Sequence, residues 1–202
     1  MDSTDYYERY GNAYFKETVN LSMEDILEEF AEYLPENAEV LDLGCGSGRD
    51  TLWLEEAGFG VTMLDGSMQM CRLAEIHTDH EVLHMTFDEM DFQEVFDGIW
   101  ACASLLHVPS DEMDGILEKV TAALKPGGYL YMSFQYGDGE EIRGHRLYHD
   151  YTEKSLSRLM KHQSDLHAVK IWSTVDRGEG NGHRKWVQVI AQKDKEPEDA
   201  DE

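Results

Sequence analysis

Along the chain, short apolar runs alternate with segments whose apolar residues return at helical spacing. Ile26, Leu27, Phe30 and Leu34 fall on one helical face, opened by Ser22 with Asp25 as a capping pair and stopped by Pro35-Glu-Asn37. The run from Val40 to Leu43 is apolar but for Asp42, which predicts a strand buried on both faces, as in a parallel sheet. A helix is expected from about Ser47 to Ala57, a strand from Gly60 to Leu64, and a helix from Ser67 to about His77. Short strands follow at Glu81 to Met85 and Phe96 to Ala101. The next helix, from about Asp111 to Leu124, is expected to stop at Lys125-Pro-Gly-Gly128, before a strand from Tyr129 to Phe134 and a helix from Thr152 to Lys161. Leu166 to Val175 and Lys185 to Gln192 predict an antiparallel pair across the loop Asp176 to Arg184, with Trp172 and Trp186 as core or hairpin partners. The alternation predicts an α/β sandwich with a parallel-rich sheet. No repeat or linker divides the chain. Residues 1–192 read as a single domain, with 1–37 as an N-terminal helical lid and 193–202 as an acidic tail.

Where the first strand ends, Gly44, Gly46 and Gly48 occupy alternate positions ahead of a helix. Without a Cβ the backbone can turn sharply there and a ligand can approach it closely. The helix start then offers free backbone N–H groups. The second strand closes on Asp65, about the distance on at which a ribose-binding acid is expected. The spacing G-x-G-x-G followed by Arg49 differs from the G-x-G-x-x-G that cradles a pyrophosphate, so these residues by themselves suit any adenosine cofactor.

Composition narrows the class. At 202 residues with 41% hydrophobic content and four tryptophans, the chain can bury a core of its own. No apolar run is long enough to span a bilayer, and the acidic, aromatic start MDSTDYYERYGNAYF is unlike a signal peptide, so a cytoplasmic protein is expected. Cys45, Cys71 and Cys102 show no C-x-x-C spacing and read as buried free thiols. The net charge of −25 repels nucleic-acid phosphates and anionic membranes at long range, and neither partner is expected. His77, His80 and His84 straddle a helix end and a strand, so helical spacing does not gather them into a metal site, and no metal is expected. No Ser-His-Asp order or nucleophile elbow occurs.

Four blocks carry a family resemblance: VLDLGCGSGRD, VTMLDGSMQM, FDGIWACASLLHVP and LKPGGYLYMSF. In this order and at these separations the chain resembles a class I S-adenosylmethionine-dependent methyltransferase over nearly its whole length. The third block and the later YGDGE segment look like small single-domain bacterial enzymes near the tellurite-resistance group. The resemblance implies a Rossmann-like, seven-stranded, mostly parallel sheet with helices on both faces and the last strand inserted antiparallel. It implies S-adenosyl-L-methionine as cofactor and S-adenosyl-L-homocysteine as product. Asp42, Gly44, Cys45, Gly46 and Gly48 would then surround the methionine moiety, with Arg49 reaching its carboxylate. Asp65 would accept from the ribose hydroxyls, with Gly66, Ser67 and Met68 beside the adenosine. Thr86 and Phe87 would flank adenine, although Thr86 stands where the family usually has an acid. Ala101 and Ser104 would line the sulfonium end.

For the acceptor, His107 follows the fourth strand and is the candidate base, with a pocket-shaping role as its alternative. Tyr6, Tyr7, Tyr10, Tyr14 and Phe15 crowd the N-terminus; packing against the sheet accounts for about half of them, and Tyr10 and Tyr14 are the lid candidates. Arg143, Arg146 and Tyr148 follow a glycine loop and could recognise a small anion, or pair with Glu140, Glu141 or Asp150. The expected function is methyl transfer to a small-molecule acceptor, an anion where the arginines recognise it. The alternatives are a tRNA-modifying methyltransferase with a partner subunit, or a non-catalytic S-adenosylmethionine-binding regulatory module.

Overall fold

The computed structural model describes residues 3–175 and 184–195. Nine strands and six helices run in the order α1 (Ser3–Thr18), α2 (Glu24–Ala31), β1 (Glu39–Leu43), α3 (Arg49–Glu56), β2 (Gly60–Asp65), α4 (Met68–Thr78), β3 (Val82–His84), β4 (Phe96–Ala101), α5 (Met113–Ala123), β5 (Leu124–Gln135), β6 (Gly139–Arg143), β7 (Arg146–Asp150), α6 (Glu153–His162), β8 (Leu166–Val175) and β9 (Lys185–Lys193). Seven strands form one sheet in the order β3-β2-β1-β4-β5-β9-β8. β1 to β5 are parallel, whereas β9 enters antiparallel between β5 and β8. The expected sheet and its terminal hairpin are both present.

Alternation along each central strand divides the core between the two faces. Leu41, Leu43, Ile99, Ala101, Leu130 and Met132 pack with α5 and α6. Val40, Trp100 and Tyr131 point the other way, against Leu27 and Phe30 of α2 and Leu54 of α3. Trp100 and Tyr131 stack with their ring centroids 4.0 Å apart. A Cβ on Gly98 would come within 2.8 Å of Leu34, so the small residue lets the end of the α2 segment lie on the sheet.

Four expectations change. The Ser22–Asp25 cap does not form: α2 starts one residue later with Met23 as its cap residue, and Ser22 Oγ accepts only from the Glu24 amide, at 3.3 Å. The Lys125-Pro-Gly-Gly128 stop does more than end α5, because the edge of β5 already starts at Leu124, pairs with Phe96, and shifts register before Tyr129. The β6–β7 hairpin is additional; β6 is exposed or nearly so along its length, and without a buried face it shows no hydrophobic alternation. The proposed lid divides. Only α1 lies over the carboxyl ends of the strands, whereas α2 belongs to the core. The Asp176 to Arg184 loop, except Arg184, and most of the acidic tail lie outside the described residues; Lys193, assigned to the tail, ends β9.

Candidate active site

The carboxyl ends of β1, β2 and β4 meet at a cleft, the position at which open α/β sheets bind ligands. Its floor is the β1–α3 turn. The amides of Gly44 and Cys45 both donate to the Leu64 carbonyl, at 2.8 and 3.0 Å, which ties the turn to the end of β2. Gly44 has φ +76°, and a Cβ there would sit 2.5 Å from Cβ of Ser104. Gly48, the residue before α3, has φ +71° and a Cβ there would meet Thr78 at 2.6 Å. Both positions require glycine for conformation and for space.

Asp65 closes β2 at the rim. Its carboxylate accepts from the Gly46 amide at 3.0 Å and the Ser67 amide at 2.9 Å. Burial raises its pKa to about 6 against those two amides, which favour the charge. Ser67 caps α4, its hydroxyl accepting from the Met70 amide at 3.2 Å. Deeper in the cleft, Asp42 accepts from Thr51 Oγ1 at 2.7 Å. Burial, reinforced by the neighbouring Asp50, pushes Asp42 well above the usual carboxylate range. Asp50 accepts from Trp100 Nε1 at 2.9 Å and is held by Arg49 Nε and Nη2 at 2.6 and 2.9 Å. Burial acts against the Arg49 charge, yet Asp50 keeps that guanidinium protonated. Arg49 Nη1 also donates to the Thr18 carbonyl at 3.3 Å, fastening the end of α1 to the site.

The α1 helix forms the roof. Ser3, Thr4, Tyr7, Tyr14 and Thr18 line the cleft, and Gly11 on the same stripe lets α1 approach Gln69 of α4. The stripe follows the three- and four-residue spacing of one helical face. Beneath it, His107 bonds Tyr7 through Nε2 at 2.7 Å and the Leu147 carbonyl through Nδ1 at 2.6 Å.

Of the cofactor-binding candidates, Asp42, Gly44, Cys45, Gly46, Arg49, Asp65, Gly66, Ser67, Thr86, Phe87 and Ser104 all line the cleft. Gly48 shapes it from behind. Met68 is partly exposed on α4, and Ala101 is fully buried beneath the lining. Thr86 is engaged with Glu89, which accepts from its amide and its hydroxyl, both at 2.8 Å.

The acceptor candidates separate further. Tyr14 lines the cleft, but Tyr10 sits on the outer side of α1, 48% exposed, against Tyr6. Arg143 is drawn away to Asp150 at 2.5 Å and to Gln135 at 2.7 Å. Arg146 lies over the Tyr6 ring at 4.2 Å, and Tyr148 packs edge-on against His107. Sequence reasoning missed Tyr7, whose signal was its seven-residue spacing to Tyr14. It also missed Cys102 and Ala103 in the lining. His77, His80 and His84 separate, to the Ser47 carbonyl, Glu55 and the Gly66 carbonyl.

An adenosyl cofactor with a methionine tail fits these residues. Asp65 offers a half-buried carboxylate at the rim, Asp42 a buried one for an ammonium, and the Gly44 turn leaves the backbone bare. Ser104 Oγ is buried in the same wall without a hydrogen-bond partner among the described residues.

Comparison with known proteins agrees. Residues 40–128 match a family model described as a methyltransferase domain. Methyltransferase GfsG of Streptomyces halstedii is 31% identical over 118 residues, covering 53% of this chain and 42% of that protein. The chain thus spans less than half the length of the curated relatives it matches. Among solved structures, a SAM-dependent methyltransferase from Methanosarcina mazei is 25% identical with a TM-score of 0.74, covering 87% of this chain and 100% of that one. The 1,6-didemethyltoxoflavin-N1-methyltransferase of Burkholderia thailandensis, solved with bound 1,6-didemethyltoxoflavin and S-adenosylhomocysteine, shares the fold at 24% identity and a TM-score of 0.77, covering 96% of this chain and 87% of that one. The narrower likeness to the tellurite-resistance group rests on the sequence blocks alone. With a cofactor-shaped turn, a rim carboxylate and these relatives, residues 40–128 carry a methyltransferase domain, and the fold is that of S-adenosylmethionine-dependent methyltransferases.

Proposed function

We propose that the chain catalyses methyl transfer from S-adenosylmethionine to a small-molecule acceptor seated beneath α1. The observation that carries this reading is Asp65, a half-buried rim carboxylate fixed by two amides and facing the glycine turn. Asp65 would hold the ribose, Thr86 and Phe87 the adenine, and Asp42 with Arg49 the amino-acid end, with Gly44, Cys102 and Ser104 around the sulfur. When bound, the cofactor supplies an already electrophilic methyl group. The chain's own task is to place the acceptor in line and keep water out, which α1 does as a roof. An anionic acceptor is the finer part of the proposal. Among the described residues the Arg146 charge meets aromatic rings and the Tyr7 phenol, not a carboxylate. No helix among the described residues is long and apolar enough to cross a membrane.

The test is incubation with methyl-labelled S-adenosylmethionine and a metabolite extract, alongside calorimetry with S-adenosylhomocysteine. A labelled small product supports the proposal. Label recovered in tRNA favours the tRNA alternative, and tight binding with no labelled product favours a regulatory module.

A further inference from the structure

Three segments far apart in sequence converge on one hydroxyl. Tyr7 of α1 lies 100 residues from His107 and 139 from Arg146, yet both contact its Oη. The partners decide where the protons sit. A backbone carbonyl only accepts, so the 2.6 Å contact of His107 Nδ1 with the Leu147 oxygen places a proton on Nδ1. Neutral His107 therefore presents Nε2 as an acceptor, and the Tyr7 hydroxyl donates into it at 2.7 Å. Arg146 Nη1 donates to the same oxygen at 3.3 Å. One lone pair of Tyr7 Oη then remains for a further donor, and Tyr7 lines the cleft. In this arrangement the basic nitrogen of His107 is capped by Tyr7, so the atom offered to an acceptor is the phenolic oxygen.

We propose that Tyr7 is a catalytic residue that relays the acceptor's proton to His107, and that the acceptor is accordingly methylated at an O–H or N–H atom. This rests on the methyl-transfer reading. The acceptor's proton moves to Tyr7 Oη as the phenolic proton moves to His107 Nε2, and the acceptor's freed electron pair forms the new bond to carbon. The carbon–sulfur bond breaks with its electrons going to sulfur. One sulfonium charge disappears and one imidazolium charge appears, with Nδ1–H still bonded to Leu147. No other reactant is needed. Arg146 is a positioning residue, braced over Tyr6 at 4.2 Å and near Tyr148 at 5.3 Å. The groups facing Tyr7 are Tyr6, Tyr14, Arg146, His107 and Tyr148. Burial first, then Tyr14, holds the Tyr7 phenol well above its ordinary pKa against the opposing pull of Arg146, so it stays protonated and passes a proton on rather than acting as a phenolate.

Nitrogen NMR of the His107 ring in the full chain tests the proton placement without any acceptor. The expected spectrum at pH 8 has Nδ1 protonated and Nε2 bare, with the Nε2 resonance moving in Tyr7→Phe; a protonated Nε2 at that pH, or no movement, overturns the relay. Calorimetry with S-adenosylhomocysteine should give Tyr7→Phe and His107→Gln affinities within about twofold of the parent. Failure of the parent itself to bind would refute the methyltransferase reading, a different outcome from failure of the relay. With the acceptor found by the labelling screen, single turnover should fall about 100-fold in each variant and no further in the double variant. A Tyr7→Phe rate within threefold of the parent, multiplying effects, or methylation at an atom that carried no hydrogen, would overturn the proposal.

Discussion

Asp65 holds an unusual position for a carboxylate: half-buried at the rim, given two amide bonds, and still titrating near 6. A ligand whose hydroxyls donate to it favours its charged form, so the bound pKa falls below the free one. S-adenosylhomocysteine should therefore bind more weakly as pH drops from 7 to 5, releasing a proton on binding, which calorimetry in buffers of different ionisation enthalpy would detect. The sign for folding is the reverse of an ion-paired acid. With a raised folded pKa, Asp65 adds stability at low pH that is lost as pH rises from about 4 toward 6. Replacing it, Asp65→Asn, removes charge-assisted bonds worth about 1.5–3 kcal/mol, so affinity should fall roughly 10- to 100-fold; an unchanged dissociation constant would move the ribose site elsewhere. Gly44→Ala forces a side chain into the left-handed region and against Ser104. A cost of about 2 kcal/mol, or roughly 4–8 °C in melting temperature, is expected together with lost cofactor binding. Retained binding would show that the turn relaxes.

Among the elements, the helices announce themselves because each buries one face, and the central strands because they bury both. α6 is an example: Thr152 caps it, accepting from the Ser155 amide at 3.1 Å, while Leu156 and Met160 enter the core. Thr152→Ala should cost about 1 kcal/mol in denaturant unfolding and leave S-adenosylhomocysteine affinity unaltered, since α6 contributes nothing to the cleft lining. A change in affinity would reveal coupling between that helix and the site. Elements without a buried face were not legible. β6 is one, and its hairpin partner β7, with only Tyr148 buried, supplies the Leu147 carbonyl, Arg146 and Tyr148 to the His107 environment. The start of α2 was misjudged for a related reason. A serine-to-aspartate spacing fits a cap locally, but the docking of Leu27 and Phe30 against Trp100 settles where the helix begins.

At the scale of the whole molecule, charge dominates. A net charge of −25 means that folding gathers like charges onto a small surface. Raising KCl from about 0.1 to about 1 M shortens the screening length from roughly 10 to 3 Å, so the melting temperature should climb with salt and level off. A flat response would mean that ion pairs such as Lys125–Asp97 already balance the field.

The sequence by itself determined the order of strands and helices, the glycine turn and the acid that closes β2. Those depend on backbone sterics and one-sided burial, which residues a few positions apart express together. Tertiary structure alone decided which side chains share the cleft. It turned Tyr7 rather than Tyr10 inward, spent Arg143 on Asp150, and set a phenol on the imidazole of His107. Such pairings join residues up to 144 positions apart, as Ser3 and Leu147 are, and packing, not local pattern, selects them.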